Sequence, residues 1–381
     1  MPDVILSQEA LHRAVQVVKQ ACSAAGKSGY TITQDILLEA AGDALTVRGT
    51  DLAVAVTFRA NAQVKTPFAL CVPARQFAEY VAALPPDTVA LTHHAKTDTL
   101  KIECARFEAK FKGADASEFP LIPSGSAEAA VSVNTARFKE MVAQVQFATA
   151  GESDPREVLQ CVRVIADGQG VTFASADGYR LAVASNPREE LPMTRGNFEA
   201  LVPARALRYA AKLANDDDEF VSFGLVQGAP ANLIFRFARV ELVAWLGAGN
   251  FPDLTQIVPK HAATRATLNL RELQDALTAA RVFAVGDTRS VRFAITPETA
   301  SAGARCTVES QSEEGDQTGT LDITCAGEGA TFALNASMLK QCLDAWNAPQ
   351  IVIETNGTGT PVVLKPLVNQ NYTYVQMPLV R

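Results

Sequence analysis

One arrangement of residues occurs three times along this chain, at a spacing of about 130 residues. An apolar strand end passes into a short helix at Cys71–Arg75, again at Leu201–Arg205, and more weakly at Phe332–Ala336. Repetition at a constant spacing is the sequence signature of one structural unit that has been copied. Any fold proposed for the chain must therefore accommodate three similar units.

Other features of the sequence keep the same spacing. Glu118–Pro123 matches Asn250–Leu254, and Gly49–Ala55 resembles Ala176–Ala184. Near the start of each copy, apolar residues at helical spacing predict an amphipathic helix; these residues are Leu11, Val15 and Val18, then Phe138, Val142 and Val145, then Leu273, Leu277 and Ala280. The sequence therefore predicts three similar domains.

The expected fold class is α+β. Alternating strands such as Leu52–Phe58, Leu100–Cys104 and Phe107–Phe111 follow one another as hairpins, with only two helices in each copy. Strands grouped in this way form antiparallel sheets. Turn-rich residues near Ser124–Ser126 and Lys260–Ala262 place the predicted domains at residues 1–125, 126–260 and 261–381.

Composition excludes several classes of protein. The chain has 381 residues, 48% of them hydrophobic and 20% charged, which is typical of globular domains and not of disordered chains. Its net charge of −7 argues against nucleic-acid binding driven by summed positive charge. We find no leader and no apolar run of the ~20 residues that would span a membrane, so we expect a cytoplasmic protein.

The residues that could carry catalysis or bind a metal form no convincing pattern. Gly26–Ser28 lacks the earlier glycine of a phosphate-binding loop, because position 21 is Ala21. His93 and His94 have no neighbouring ligands at short spacing, and Asp216–Glu219 is better explained as a solvated turn. The seven cysteines show no Cys-x-x-Cys spacing and are expected to be reduced core residues. We expect no metal and no cofactor, and a hydrolase or transferase built on repeated domains is the weakest interpretation.

A hairpin in the second copy carries unusual side chains. Asp177 and Gly178 lie between the alternating run Val171–Ser175 and a second run, Leu181–Ser185, which predicts a tight turn. Tyr179 and Arg180 follow directly, as an aromatic ring beside a charged side chain. From these residues alone the hairpin could serve partner docking or catalysis, or be a surface turn with incidental charge.

Taken in order, these markers resemble the β sliding clamp of bacterial replicative DNA polymerase, the DNA polymerase III beta subunit, over nearly the whole chain. The matching residues are Gly49–Leu52, Ala176–Val183, Phe251–Asp253 and Tyr374–Leu379. The resemblance implies a non-catalytic processivity factor: a head-to-tail homodimer that closes a six-domain ring around duplex DNA, without sequence preference. A ring holds DNA by topology, so weak phosphate contacts suffice and an acidic chain is compatible with the role.

The resemblance also implies three sets of functional residues. Basic residues of the repeated helices and one loop would face DNA: Arg13, Lys19, Lys27, Arg75, Arg137, Lys139, Arg205, Arg208, Lys212, Arg271, Arg281 and Lys340. A groove between the second and third domains would bind Gln-Leu-x-Leu-Phe-like peptides of DNA polymerases, the clamp loader and repair proteins. Its residues would be Leu159, Ala176, Gly178, Tyr179, Arg180, Leu181, Pro252, Ile257, Thr360, Val375, Met377, Pro378 and Leu379, with Arg180 orienting the peptide's glutamine. The dimer contact would use Phe107, Ala109 and Phe111 of one chain and Val282 and Phe283 of the other.

The sequence departs from the family pattern in places. Gln256 stands where an arginine is frequent, and Arg156–Val158 replaces paired tyrosines expected near DNA. Lys27 is the expected cation of a loop that lacks the usual proline-flanked arginine, and Val380–Arg381 follow the terminal motif. These departures suit a divergent or accessory clamp. The alternative is a protein-interaction scaffold that keeps the clamp fold without encircling DNA.

Overall fold

The computed structural model describes residues 1–23, 31–125, 127–215, 218–226, 232–368 and 371–379. By spatial contact the chain divides into two compact units. The first unit comprises Met1–Thr135, Pro192–Phe198 and Tyr209–Leu246; the second comprises Ala136–Leu191, Glu199–Arg208 and Gly247–Arg381. Lys27, one of the predicted DNA-facing residues, lies outside the described residues.

The described residues form six helices of at least nine residues and one short helix. They are α1 (Gln8–Lys19), α2 (Ala74–Ala83), α3 (Thr135–Gln146), α4 (Ala204–Leu213), the short α5 (Leu254–Ile257), α6 (Leu270–Ala280) and α7 (Ala336–Asp344). Polar side chains begin several of them, because the first backbone N–H groups of a helix need acceptors. Asn335, for example, accepts hydrogen bonds from the N–H groups of Ser337 and Met338 at the start of α7.

The strands fall into three sets of nine that follow the predicted repeat. The first set is β1 (Val4–Ser7), β2 (Asp35–Ala41), β3 (Ala44–Thr50), β4 (Val54–Asn61), β5 (Gln63–Val64), β6 (Phe68–Pro73), β7 (Thr88–His94), β8 (Thr99–Cys104) and β9 (Phe107–Lys112). The second set is β10 (Ala127–Asn134), β11 (Cys161–Asp167), β12 (Gly170–Ala176), β13 (Arg180–Pro187), β14 (Met193–Arg195), β15 (Phe198–Pro203), β16 (Phe220–Val226), β17 (Asn232–Arg236) and β18 (Val240–Trp245). The third set is β19 (Thr264–Asn269), β20 (Ser290–Thr296), β21 (Arg305–Ser312), β22 (Gly315–Asp322), β23 (Thr324–Gly327), β24 (Ala330–Asn335), β25 (Gln350–Thr355), β26 (Val362–Pro366) and β27 (Tyr372–Gln376).

These strands form four antiparallel sheets, so the predicted α+β class is confirmed. The first unit holds a five-stranded sheet, β5-β1-β7-β8-β9, and a nine-stranded sheet, β14-β10-β16-β17-β18-β4-β3-β2-β6. A second nine-stranded sheet has the order β15-β11-β12-β13-β27-β26-β25-β19-β23, and a four-stranded sheet, β22-β21-β20-β24, lies in the second unit. Apolar side chains alternate along most strands and form the core on one face of each sheet.

The two long sheets join neighbouring copies of the repeat in the same way. In the first unit β4 pairs with β18, with Val56 opposite Leu242. In the second unit β13 pairs with β27, with Leu181 opposite Val375. Because the sheets continue across the repeats, the strands of the central copy are shared between the two compact units. The sequence predicts three similar domains, whereas the tertiary contacts of the chain divide it into two compact units.

Two further properties of the described residues bear on function. None of the helices described has the length and apolar character needed to cross a membrane. All seven cysteines are free; five are buried, and Cys22 and Cys325 are partly exposed. Burial raises the pKa of the Cys71 and Cys306 thiols to about 12, so these thiols stay protonated near neutral pH.

Candidate functional site

An apolar groove in the second unit brings together residues that are far apart in the sequence. Its volume is about 300 Å³, and its lining is Arg156, Leu159, Ala176, Gly178, Tyr179, Arg180, Leu181, Pro252, Ile257, Val375 and Met377. Every residue predicted for the groove is in this lining except Thr360, Pro378 and Leu379. Arg156 lines it in addition.

The Asp177–Gly178 turn forms one wall of the groove for local chemical reasons. The Asp177 carboxylate accepts hydrogen bonds from the backbone N–H groups of Tyr179 and Arg180, at 2.9 and 3.0 Å. Gly178 has φ +93°, a conformation that side chains rarely adopt. The turn therefore holds Tyr179 outward, with 65% of its surface exposed.

The floor of the groove is a small apolar cluster. Its buried members are Leu159, Ala176, Leu181, Val363 and Val375, and Phe251, Leu254 and Ile257 pack against them from the segment around α5. Leu181 lies opposite Ala176 on β12 and opposite Val375 on β27. The chain then leaves β27 along the turn, where the N–H of Met377 donates to the Tyr179 carbonyl at 2.8 Å. Met377 stays 42% exposed beside the floor.

Arg180, which is predicted to orient a partner's glutamine, makes several contacts within the protein. Its side chain is only 8% exposed and forms an ion pair with Asp177 at 2.8 Å. Its two terminal nitrogens donate to the Gln341 side chain at 2.6 Å and to the Phe147 carbonyl, and the guanidinium lies 5.3 Å from the centre of the Phe147 ring. These contacts fix the orientation of the guanidinium at the groove.

Arg156 is the exposed cation of the groove, and the sequence interpretation missed it. Its side chain is 51% exposed, donates to both Asp154 oxygens, and reaches the Asp177 carbonyl at 3.2 Å. The hydrogen bonds that Arg156 donates to the Asp154 carboxylate lower the pKa of this carboxyl to about 2. Arg156 stood out in the sequence only as a replacement for a tyrosine expected near DNA, so no local pattern assigned it to the groove.

Of the three predicted groove residues outside the lining, Pro378 and Leu379 directly follow Met377, whereas Thr360 lies elsewhere in the chain. Thr360 belongs to the turn between β25 and β26, where its hydroxyl donates to the Gly357 carbonyl at 2.7 Å. Leu379 is held by its N–H, which donates to the Ala333 carbonyl at 2.8 Å. Pro378 precedes it and is half-buried. Backbone hydrogen bonds thus hold Met377 and Leu379, the residues on either side of Pro378, in place.

The residues predicted to face DNA fall into several environments. Arg205 and Arg208 line a cavity of about 470 Å³ in the second unit with Glu152 and Glu157. Arg13 and Lys212 line a cavity of about 490 Å³ in the first unit. Others are paired with acidic residues of their own helices: Arg75 with Glu79, Arg271 with Asp275, and Lys340 with Asp344. Lys19, Lys139 and Arg281 are partly exposed.

Arg137 is the clearest correction within this set. Its side chain is 14% exposed, pairs with Glu140, and donates to the Ser185 carbonyl. These contacts hold the guanidinium against β13, because a buried charge must be paired and hydrogen-bonded. Arg137 therefore does not belong among exposed cations available to phosphates.

The residues predicted for the dimer contact lie at or near sheet edges. β9 is the edge strand of the five-stranded sheet, and Phe107 on it is 42% exposed. Phe111 instead packs edge-on against Phe77 and Tyr80. Ala109 on the same strand is half-buried.

In the second unit the four-stranded sheet ends at β22, an edge that the sequence interpretation did not single out. Val282 follows α6 and is 70% exposed, whereas Phe283 is half-buried and its ring lies beside Gly315. The predicted contact residues of this unit therefore lie next to an open sheet edge. An exposed edge strand offers unpaired backbone groups to another strand.

Comparison with solved structures identifies the class of fold. The DNA polymerase sliding clamp from Bacillus subtilis matches with a TM-score of 0.91 at 20% identity, covering 99% of both chains. The DNA polymerase III subunit beta from Pseudomonas aeruginosa matches with a TM-score of 0.88 at 19% identity, again over 99% of both chains. The fold is that of a sliding clamp.

Sequence comparison identifies the family. Models of the DNA polymerase III beta subunit match the chain in order: the N-terminal domain over residues 3–123, the central domain over 132–253 and the C-terminal domain over 255–380. The Beta sliding clamp of Synechococcus elongatus is 26% identical over 382 residues, which cover 99% of this chain and 98% of that relative. The chain belongs to the DNA polymerase III beta subunit family.

Proposed function

We propose that this chain is the subunit of a ring-shaped sliding clamp, a non-enzymatic protein that encircles duplex DNA and tethers DNA polymerases through short peptides. Family membership supports the clamp role. The observation that carries the tethering role is the apolar groove, which is already formed in the chain without a partner. Its lining fits peptide binding better than catalysis, because apolar side chains dominate it.

The chemistry of the groove defines the class of peptide. Leu159, Leu181 and Val375 form an apolar floor for leucine and phenylalanine side chains. Met377 at the margin is flexible and polarisable, and such side chains adapt to different apolar partners. Arg156 adds a polar group to the lining, which suits an extended peptide of the Gln-Leu-x-Leu-Phe type. The partners would be DNA polymerases, the clamp loader and repair proteins.

Closure of the ring would use the two open sheet edges of neighbouring copies. The exposed residues around β9 include Arg106, Lys110 and Lys112, whereas Glu314 and Asp316 begin the β22 edge. Opposite charges on two strand edges favour their pairing and disfavour self-pairing of either edge. Two such head-to-tail contacts close a dimer. Phe107 of one copy would then be covered by the partner near Val282.

A first experiment tests the groove. A labelled Gln-Leu-x-Leu-Phe peptide is titrated, by fluorescence anisotropy, against the wild type and against a variant that lacks residues 377–381. We expect micromolar affinity for the wild type, which corresponds to about −8 kcal/mol, and loss of binding on truncation with circular dichroism unchanged. Binding that survives the truncation would contradict the assignment of Met377 to the site.

A second experiment tests the ring. A closed ring loaded on a nicked circular plasmid should remain bound through gel filtration and should be released when the plasmid is cut at one position. A chain held by charge alone would dissociate from both forms to the same extent as salt is raised. Peptide binding without retention on the circle would support the scaffold alternative instead.

A further inference from the structure

Arg180 connects parts of the chain that belong to different repeats. It lies at the start of β13 in the region matched by the central-domain model, whereas Gln341 lies on α7 in the region matched by the C-terminal-domain model. The two side chains are 161 residues apart in sequence and meet through a hydrogen bond of 2.6 Å. Both belong to the second compact unit.

The remaining contacts of Arg180 hold the guanidinium in one orientation. Asp177 binds Nε, and the carbonyl of Phe147, directly after α3, accepts from the other terminal nitrogen. The Phe147 ring packs on the guanidinium face and also contacts the ring of Tyr374 on β27. The guanidinium thus joins β13, the end of α3 and α7 at one point.

This point of connection is at the groove wall, because Arg180 itself lines the groove. Tyr179 and Leu181, the two chain neighbours of Arg180, line the groove, whereas Gln341 does not. Gln341 is an exposed residue whose side-chain oxygen accepts from Arg180. A change at Gln341 can therefore affect a peptide in the groove through Arg180 and its neighbours.

Building on the proposed peptide-binding function, we propose that Arg180 and Gln341 form a latch, defined as this pair and its hydrogen bond, that positions the Tyr179–Leu181 wall for peptide binding. Both are positioning residues, and neither recognises the peptide's glutamine. The physical reason is preorganisation: a wall already fixed in the binding geometry does not have to be ordered when the peptide arrives. Loss of the latch should weaken all groove peptides by the same factor.

The test is a double-mutant cycle between protein and peptide. Wild type, Gln341→Leu, Gln341→Glu, Arg180→Lys and the double variant Arg180→Lys with Gln341→Leu are titrated with a Gln-Leu-x-Leu-Phe peptide and with the same peptide carrying alanine for glutamine. We expect Gln341→Leu to raise Kd about fivefold for both peptides, the net effect of about one hydrogen bond. Gln341→Glu keeps an acceptor for Arg180 and should restore wild-type affinity. In the Arg180→Lys background, Gln341→Leu should have little further effect.

Two substitutions control for nonspecific effects. Arg163→Lys disrupts a comparable Arg–Glu199 pair in the same unit, and Gln350→Leu replaces an exposed glutamine at the start of β25. Both should bind peptide as the wild type does. Wild-type affinity in Gln341→Leu would overturn the latch while leaving the proposed function intact. A loss in Arg180→Lys confined to the glutamine-containing peptide would also overturn it, because Arg180 would then recognise the peptide directly. Failure of the wild type to bind either peptide would refute both the groove function and the latch.

Discussion

Replacement of Met377 by alanine gives a sharp test of the groove, because the chain offers a matched control. Met377 and Met193 are both 42% exposed, but Met377 lines the groove in the second unit and Met193 belongs to β14 in the first. The side-chain atoms beyond Cβ contribute about 0.8 kcal/mol each when fully buried. A peptide that covers the exposed 42% of Met377 therefore gains about 1 kcal/mol from it. Met377→Ala should raise the peptide Kd about fivefold.

The control separates binding from stability. The portion already buried in each methionine is the same, so both alanine variants should lose a similar free energy of unfolding, about 1–2 kcal/mol. Fluorescence anisotropy reports peptide affinity, and urea denaturation reports stability. Equal affinity loss in Met193→Ala would show that general destabilisation causes the effect, and wild-type affinity in Met377→Ala would place the peptide elsewhere.

Three further outcomes are expected. Phe107→Asp should convert dimers to monomers in sedimentation velocity and leave peptide affinity unchanged, because it replaces an exposed apolar side chain of the edge strand β9 with a charge. Gly170→Ala should lower the free energy of unfolding, measured by urea denaturation, by about 2–4 kcal/mol. The reason is that the φ of Gly170 is +135° and a Cβ there would lie 2.2 Å from the Asn186 carbonyl oxygen. Gly42→Ala, at φ +61° with open space around it, should lower the free energy of unfolding far less. The Asp154 carboxyl should titrate near pH 2 by NMR, below the unfolded value of about 3.9. Its pairing with Arg156 therefore stabilises the folded state above about pH 4, and this stabilisation is lost as the pH falls through 2. Arg156→Gln should return the pKa of Asp154 towards its ordinary value.

Local chemistry explains which structures could be predicted from sequence. The Asp177–Gly178 turn and the amphipathic helix containing Leu11 and Val15 depend on neighbouring residues, and the structure contains both. The threefold repeat reports one supersecondary unit copied along the chain, and each copy contributes nine strands. These features are predictable because a turn or an amphipathic helix forms from nearby residues, whatever the rest of the fold is.

The groove residues were predictable for another reason. Their positions came from the family resemblance, since no periodic pattern links Leu159 to Val375 or Met377. The structure shows how they meet: β13 pairs with β27 across almost 200 residues of chain, which sets Leu181 opposite Val375. Arg156 lacked such a signal, because its position at the groove depends on how the segment before β11 packs beside Gly178.

Tertiary packing also determines the surface at the two strand pairings that join neighbouring repeats, β4–β18 and β13–β27. In the first unit the β4–β18 junction has an apolar cluster that includes Ala55 and Val243, and Ile122 and Trp245 pack over it. At the β13–β27 junction Phe251, Leu254 and Ile257 pack against the cluster around Leu159 and Leu181, and the groove lies there. Likewise, Arg180 looks like an exposed charge in the sequence but becomes a buried connector, because Phe147 and Gln341 reach it from distant elements.

The sequence by itself determined the repeat, the strands and the turn, since each depends on nearby residues. Which side chains are covered, paired or left open was decided only by the tertiary structure, since burial depends on residues brought together from the whole unit.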